Sequence, residues 1–344
     1  MNGHDNPDLG RLTAYFERHV QGTSGALVAE RFTGGQSNPT YRIADSAGHR
    51  FVLRKKPSGV LLPSAHAVDR EYRVLKALQE TDVPVPRVLA YCDDPRVIGT
   101  PFYVMEFVEG RIFWDPTLPE LSPADRTALY EDVNRMVATL HRVDVGAVGL
   151  GDYGRPGRFM ERQIARWTKQ YLAAATEPIE AMDRLIHWLS AHMPPGDESA
   201  VFHGDLRLDN MIVHPVEPRV LAVLDWELST IGHPLADLAY HMLPWHLTAQ
   251  QFRGMADKPL AALGIPSENQ YLRAYCSRVG RRDVEPTEWS FYVAYAMFRL
   301  AAILQGILKR SLDGTAFDKH ARETGMKAGS IAAVAWKYAS STVP

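Results

Sequence analysis

The hydrophobic pattern changes period near Gly110, and that change limits the folds open to this chain. Before it, residues 28–32, 40–43, 49–55, 87–92 and 102–107 are short apolar runs bounded by turn-forming residues, as β-strands are. One stretch among them, residues 65–78, spaces Val68, Tyr72, Leu75 and Leu78 as on a helix, with Ser64 placed to cap it. After Gly110 the spacing is helical over 123–141, 158–175, 179–192, 269–279, 288–308 and 319–338, the first of these opened by Ser122 as cap and Pro123 at the first helical position. A chain patterned this way is α+β, with a small strand-rich part, residues 1–108, and a larger, mostly helical part, residues 109–344. Its 344 residues suffice for two lobes, each with a core.

Charge is nearly balanced, 38 basic against 40 acidic residues, so no bulk attraction to nucleic acid or to an anionic membrane is expected. The first twenty residues mix charged and apolar side chains and contain no signal-peptide core. The longest apolar run, 294–308, is interrupted by Arg299 and Gln305 and is shorter than the roughly 20 residues that cross a bilayer. No membrane span is therefore expected. Two cysteines, Cys92 and Cys276, form neither a disulfide framework nor a metal cluster and fit a reducing compartment, so the expected location is cytoplasmic. Oligomeric state is left open.

Between the helical stretches, residues 201–227 interrupt apolar residues with polar ones at close intervals. Asp205 and Asn210 lie five apart in a loop that runs into an apolar strand, and a second strand, 220–224, ends in Asp225. A tight hairpin there would bring Asp205, Asn210 and Asp225 to one edge. Two carboxylates and an amide oxygen are hard donors suited to Mg²⁺, which binds through one or two protein carboxylates plus substrate phosphates. The chemistry suggested is phosphoryl transfer, which depends mainly on positioning and charge neutralisation.

His203-Gly204-Asp205 through Asn210, followed by Leu224-Asp225-Trp226-Glu227, resembles the catalytic and metal-binding loops of the aminoglycoside phosphotransferase-like branch of the protein-kinase fold. The resemblance covers nearly the whole chain. It implies a bilobed fold with a small antiparallel-sheet lobe and a larger helical one, using ATP and Mg²⁺. Residue by residue, it implies that Asp205 is the base or hydroxyl-positioning group, that Asn210 and Asp225 hold Mg²⁺, and that Arg207 contacts the transferred phosphate. Asp237, in Asp237-Leu238-Ala239, would brace the catalytic loop. Gly34, Gly35, Ser37 and Asn38 fall where the family's phosphate loop lies, and Met105, Glu106 and Val108 fall on the strand and hinge that contact adenine through backbone groups. Arg54 stands where the family's third strand carries a lysine, with Lys55 and Lys56 following. Strand alternation puts Arg54 and Lys56 on one face, so either could approach the phosphates. The register of Glu71 relative to Arg54 points to an ion pair. Gly204 replaces the arginine with which protein kinases read an activation-loop phosphate, so constitutive activity on a small molecule is expected.

Gly149-Leu150-Gly151-Asp152-Tyr153-Gly154 spells a dinucleotide fingerprint, but it follows a helix and a loop instead of a strand and reads as a turn-rich connector. The acceptor is harder to read. Near the C-terminus Lys309, Arg310, Lys319, Arg322, Lys327 and Lys337 outnumber the acidic residues Asp313, Asp318 and Glu323, which suits an anionic acceptor better than a polycationic aminoglycoside. Val52-Leu53-Arg54-Lys55-Lys56-Pro57 and the segment from Val223 to Pro234 are similar to the kinase-like domain fused to some acyl-CoA dehydrogenases. That similarity implies a hydroxyacyl-CoA as acceptor. An aminoglycoside or other small-molecule acceptor, and a nucleotide-binding module without turnover, are the alternatives.

Overall fold

The structure is a computed structural model that describes residues 6–32, 38–57, 67–316 and 318–341. The chain separates into two compact units. The first comprises Met1–Arg111 with two later segments, Met211–Pro215 and Leu221–Ser229, and the second comprises the remainder.

In the first unit, β1 (Val28–Arg31), β2 (Thr40–Ala44), β3 (Arg50–Lys55), β4 (Val88–Cys92) and β5 (Phe102–Glu106) form an antiparallel sheet in the order β1-β2-β3-β5-β4. Alternation along the central strand β3 sends Phe51 and Leu53 into a core with Tyr41, Ile43, Phe102 and Val104. A helix not anticipated from the sequence, Leu9–His19, covers this core with Leu12, Tyr15 and Phe16. Its signals were present: Asp8 accepts from the backbone N–H of Gly10 and Arg11, and the buried residues recur at helical spacing. Helix Val68–Leu78 packs on β4 and β5. It starts three residues later than the 65–78 pattern suggested, and Ser64 lies outside the described residues.

The two later segments make this unit discontinuous in sequence. Strand β7 (Met211–Val213) pairs with β8 (Val220–Val223), and Arg111 exchanges two backbone hydrogen bonds with Val213 at 2.7 and 2.8 Å. Gly110 makes that approach feasible, because a Cβ there would run into the Val213 carbonyl. The turn Trp226–Leu228 packs against helix Val68–Leu78.

The second unit is built around helix Pro286–Leu312, against which helices Phe159–Ala174, Glu180–Ala191, Pro234–His241, Ala321–Met326 and Ala328–Ser341 pack. At 27 residues with a mean hydropathy of 1.6 over its most apolar window, this helix is long and apolar enough to span a bilayer by composition, which the shorter 294–308 run had not suggested. Its apolar surface is consumed internally: 78% of that window is buried within the protein. Helix Pro123–His141 begins as expected, with Ser122 accepting from the Asp125 N–H. The single helix expected over 319–338 is two, Ala321–Met326 and Ala328–Ser341. Strands β6 (Ala200–Phe202) and β9 (Thr230–Gly232) pair antiparallel and fix the two ends of the polar loop region. The glycine-rich segment 149–154 is a run of turns.

Candidate active site

In the second unit, β6 delivers the chain into His203-Gly204-Asp205, and the turn Leu208–Asn210 follows. Asp237, on helix Pro234–His241, braces this loop from below. Its Oδ2 accepts the His203 N–H at 2.7 Å and its Oδ1 accepts the Gly204 N–H at 2.9 Å. Buried Asp237 stays ionised, because His141 and these donors outweigh the penalty of burial and lower its pKa. His203 is fully buried and its Nδ1 accepts the Asp205 N–H at 3.2 Å, the support of a loop and not a group exposed for chemistry.

Asp205 is gripped on its side chain. Arg207 approaches both oxygens at 3.0 Å, a two-point ion pair, and the Asn210 amide nitrogen donates to Oδ2 at 3.0 Å and to the Asp205 carbonyl at 2.8 Å. Tyr240 is buried close by; burial first, then the Asp205 carboxylate, pushes its hydroxyl up to about 12. Arg207 also reaches Asp209 at 3.4 Å, and these carboxylates outweigh burial to hold its guanidinium charged. Turning its nitrogen to Asp205 leaves the amide oxygen of Asn210 as the end suited to a cation.

In the first unit, Arg54 is the centre of a charged cluster. Its Nε lies 2.7 Å from Glu71, and its Nη2 donates to Asp225 at 2.9 Å and to Glu227 at 3.5 Å. The ion pair indicated by register is thus present, and the guanidinium is held charged by these carboxylates against the cost of burial. Alternation explains the placement: Arg54 pairs across the ladder with Tyr103 and shares its side of the sheet, facing helix Val68–Leu78. Strand β3 ends at Lys55, so the alternation that would carry Lys56 to the same face stops before it. Glu71, 1% exposed, also accepts from Asn38 Nδ2 at 2.6 Å and from the Tyr103 hydroxyl at 3.1 Å. Asn38 is therefore buried against Glu71, while Gly34, Gly35 and Ser37 lie outside the described residues. Asp225 has φ +65°, a left-handed conformation that a non-glycine residue adopts only where its surroundings enforce it. Met105 is buried in β5, Glu106 ends that strand with its carboxylate on the Arg87 N–H, and Val108 follows, half-buried.

Asn210, in the second unit, offers an amide oxygen and Asp225, in the first, a carboxylate, and each by its own chemistry is a hard donor of the kind Mg²⁺ takes. Among the described residues no group of three or more His, Cys, Asp or Glu could hold a metal.

The sequence reading missed a pocket in the second unit. Trp114, Tyr130, Tyr240, Trp245 and Phe252 line a cavity of about 50 Å³ beside Arg207 and Asp209. Arg253 closes its rim, paired to Asp209 at 2.5 Å and lying over the Trp114 ring at 5.2 Å. The cations facing this cavity are Arg207 and Arg253; the C-terminal basic residues singled out by charge counting are not in its lining. Aromatic residues scattered from 114 to 252 carry no local pattern that would have gathered them.

Residues 28–279 match the phosphotransferase enzyme family, APH. This chain belongs to that family. Mouse acyl-CoA dehydrogenase family member 10 is 47% identical over 333 residues, covering 94% of this chain but 31% of the mouse protein, so the chain spans about a third of that relative. A solved structure from Ralstonia eutropha, provisionally named an aminoglycoside phosphotransferase, is 49% identical with a TM-score of 0.91, covering 98% of this chain and all of that one. Spectinomycin phosphotransferase in complex with ADP and spectinomycin shares the fold at a TM-score of 0.62 and 11% identity, over 96% of this chain and 98% of that one. The fold is thus the bilobed α+β architecture of the kinase-like phosphotransferases.

Proposed function

We propose that this phosphotransferase moves the γ-phosphoryl group of ATP, with Mg²⁺, to a hydroxyl of a hydroxyacyl-CoA. The observation that carries the reaction class is the Asp205 loop: a carboxylate fixed by Arg207 and Asn210 and braced through Asp237. In this reading Asp205 orients the acceptor hydroxyl and takes its proton as the new O–P bond forms and the bond from the γ-phosphorus to the ADP oxygen breaks. Arg207 is close enough to Asp205 to meet the phosphoryl oxygens entering the same space, and Arg54 supplies the cation of the nucleotide unit. Asn210 and Asp225 would hold Mg²⁺, which neutralises phosphate charge. Backbone groups from Met105 to Val108 would take the adenine. Nucleotide use is supported by the relative that binds ADP.

The acceptor reading rests on two observations. The relative at 47% identity is named an acyl-CoA dehydrogenase, although this chain matches only a third of it. The pocket beside the loop, about 50 Å³, is lined mainly by aromatic side chains, which favours an apolar group over a polycation, while its two arginines are both paired with Asp209. The second reading, an aminoglycoside acceptor, draws on the provisional name of the Ralstonia protein. An assay of ADP release from Mg²⁺-ATP over a panel of hydroxyacyl-CoAs, aminoglycosides and sugars separates them. Stimulation by hydroxyacyl-CoAs is expected. Stimulation by aminoglycosides alone would replace the acceptor, and a nucleotide-induced rise in Tm without turnover would leave only a binding module.

A further inference from the structure

Arg299 first appears as an interruption in the longest apolar run of the chain. In the structure it lies on helix Pro286–Leu312, 4% exposed, and among the described residues it forms no ion pair. A buried guanidinium without a carboxylate is an expensive way to fill a helix core, and an apolar side chain of similar volume would pack there at lower cost. Its polar contact is specific. Nη2 donates to the carbonyl oxygen of Gly204, the residue immediately before Asp205, at 2.5 Å. The guanidinium also lies over the rings of Tyr240 at 4.5 Å and Trp167 at 5.3 Å.

From these contacts we infer that Arg299 is a positioning residue for Asp205. The peptide between Gly204 and Asp205 is held at both ends, its oxygen by Arg299 and its N–H by His203 Nδ1. Gly204 has φ +87°, and its own N–H goes to Asp237, so the loop turns at a glycine whose two flanking peptides are each tied to a buried side chain. With the peptide plane fixed, the direction in which the Asp205 side chain leaves the backbone is fixed too. Helix Pro286–Leu312 thereby sets the geometry of a loop ninety-five residues away in sequence.

This inference rests on the phosphotransferase reading for its kinetic consequence and not for its structural one, so two measurements separate them. Arg299→Met replaces the guanidinium by an apolar chain of similar length. Hydrogen exchange of the intact protein needs no substrate: the peptide covering 203–210 is expected to exchange at least about tenfold faster in the variant, with Tm shifted by no more than a few degrees. Unchanged protection overturns the placement. With the acceptor found by the panel assay, kcat is expected to fall about 10–100-fold while KM for ATP stays within about twofold, the signature of an interaction that matters to the reacting geometry and not to nucleotide binding. A wild-type kcat, or a loss confined to KM for ATP, overturns the role. Should Arg299→Met not fold, Arg299→Lys keeps the charge and loses the planar fork. A reduced kcat and faster loop exchange at unchanged Tm are then expected, and wild-type values of both overturn the proposal.

Discussion

Every polar atom of Asp205 is engaged: its N–H by His203, its carbonyl by Asn210, and its two carboxylate oxygens by Arg207 and Asn210. Asp205→Asn keeps the shape and removes the charge, so turnover is expected to fall about 10²–10⁴-fold with nucleotide affinity nearly intact. Steady-state ADP release beside a nucleotide titration checks this, and an unchanged rate would remove Asp205 from the mechanism. Asp225→Ala deletes a proposed cation ligand and a partner of Arg54, so Mg²⁺-dependent nucleotide affinity is expected to disappear. Calorimetric titration of ATP with and without Mg²⁺ reads it directly, and persisting Mg²⁺ dependence would reassign the ligand. At this scale the sequence made the loop residues legible because Asp205, Arg207 and Asn210 are close in the chain. It could not show that Arg54 binds Glu71, Asp225 and Glu227 at once, since those partners come from a helix and from a segment some 170 residues later.

Helices and strands were read well where their own periodicity carried the signal. Strands β1 to β5 and helix Pro123–His141 fall within a residue or so of their patterns, because turn-forming residues bound the strands and a Ser-Pro start opens the helix. The expected 319–338 helix divides at Lys327, and both parts pack on helix Pro286–Leu312, the first closely through Gly325. A Cβ on Gly325 would lie 2.6 Å from the backbone nitrogen and Cβ of Leu308. Gly325→Ala is therefore expected to cost about 1–3 kcal/mol despite the better helix propensity of alanine. A lower urea midpoint at unchanged m would show it; an equal or higher midpoint would mean the two helices separate without cost. The same long helix illustrates the limit of pattern reading. Apolar nearly all round, it satisfies the length and hydropathy of a membrane span, and only its packing partners reveal it as a core element.

Across the whole molecule, buried neutral histidines tie stability to pH. His233 caps helix Pro234–His241, its Nδ1 accepting the Leu235 N–H and its Nε2 meeting the Tyr292 hydroxyl at 3.0 Å; burial, with Arg281 adding, lowers its pKa to about 4. His241 lies between the Leu206 carbonyl and the Tyr271 hydroxyl, and burial lowers it to about 4 as well. Unfolded, both would titrate near 6.5. Between about pH 6.5 and 4 the unfolded chain therefore binds more protons than the folded one, and stability present above that window is lost as pH falls through it. Each histidine contributes on the order of 3 kcal/mol at the limit. Denaturant midpoints from pH 8 to pH 4.5 should fall steeply below about 6.5, and a flat profile would show that the two rings accept protons in place.

Sequence alone determined the parts of this protein that are local. The change of period near Gly110 set the α+β class, and the Asp205-to-Asn210 spacing with Asp225 and Asp237 pointed to the family that the comparisons establish. These follow from residues within a few turns of one another, where spacing and chemistry coincide. Tertiary structure decided what those residues meet. It placed Arg299 on the Gly204 carbonyl and over the Tyr240 ring, three carboxylates on Arg54, and the aromatic residues from Trp114 to Phe252 around one cavity. None of these has a periodic signature, because each contact joins side chains that packing of the core, and not spacing along the chain, brings within reach.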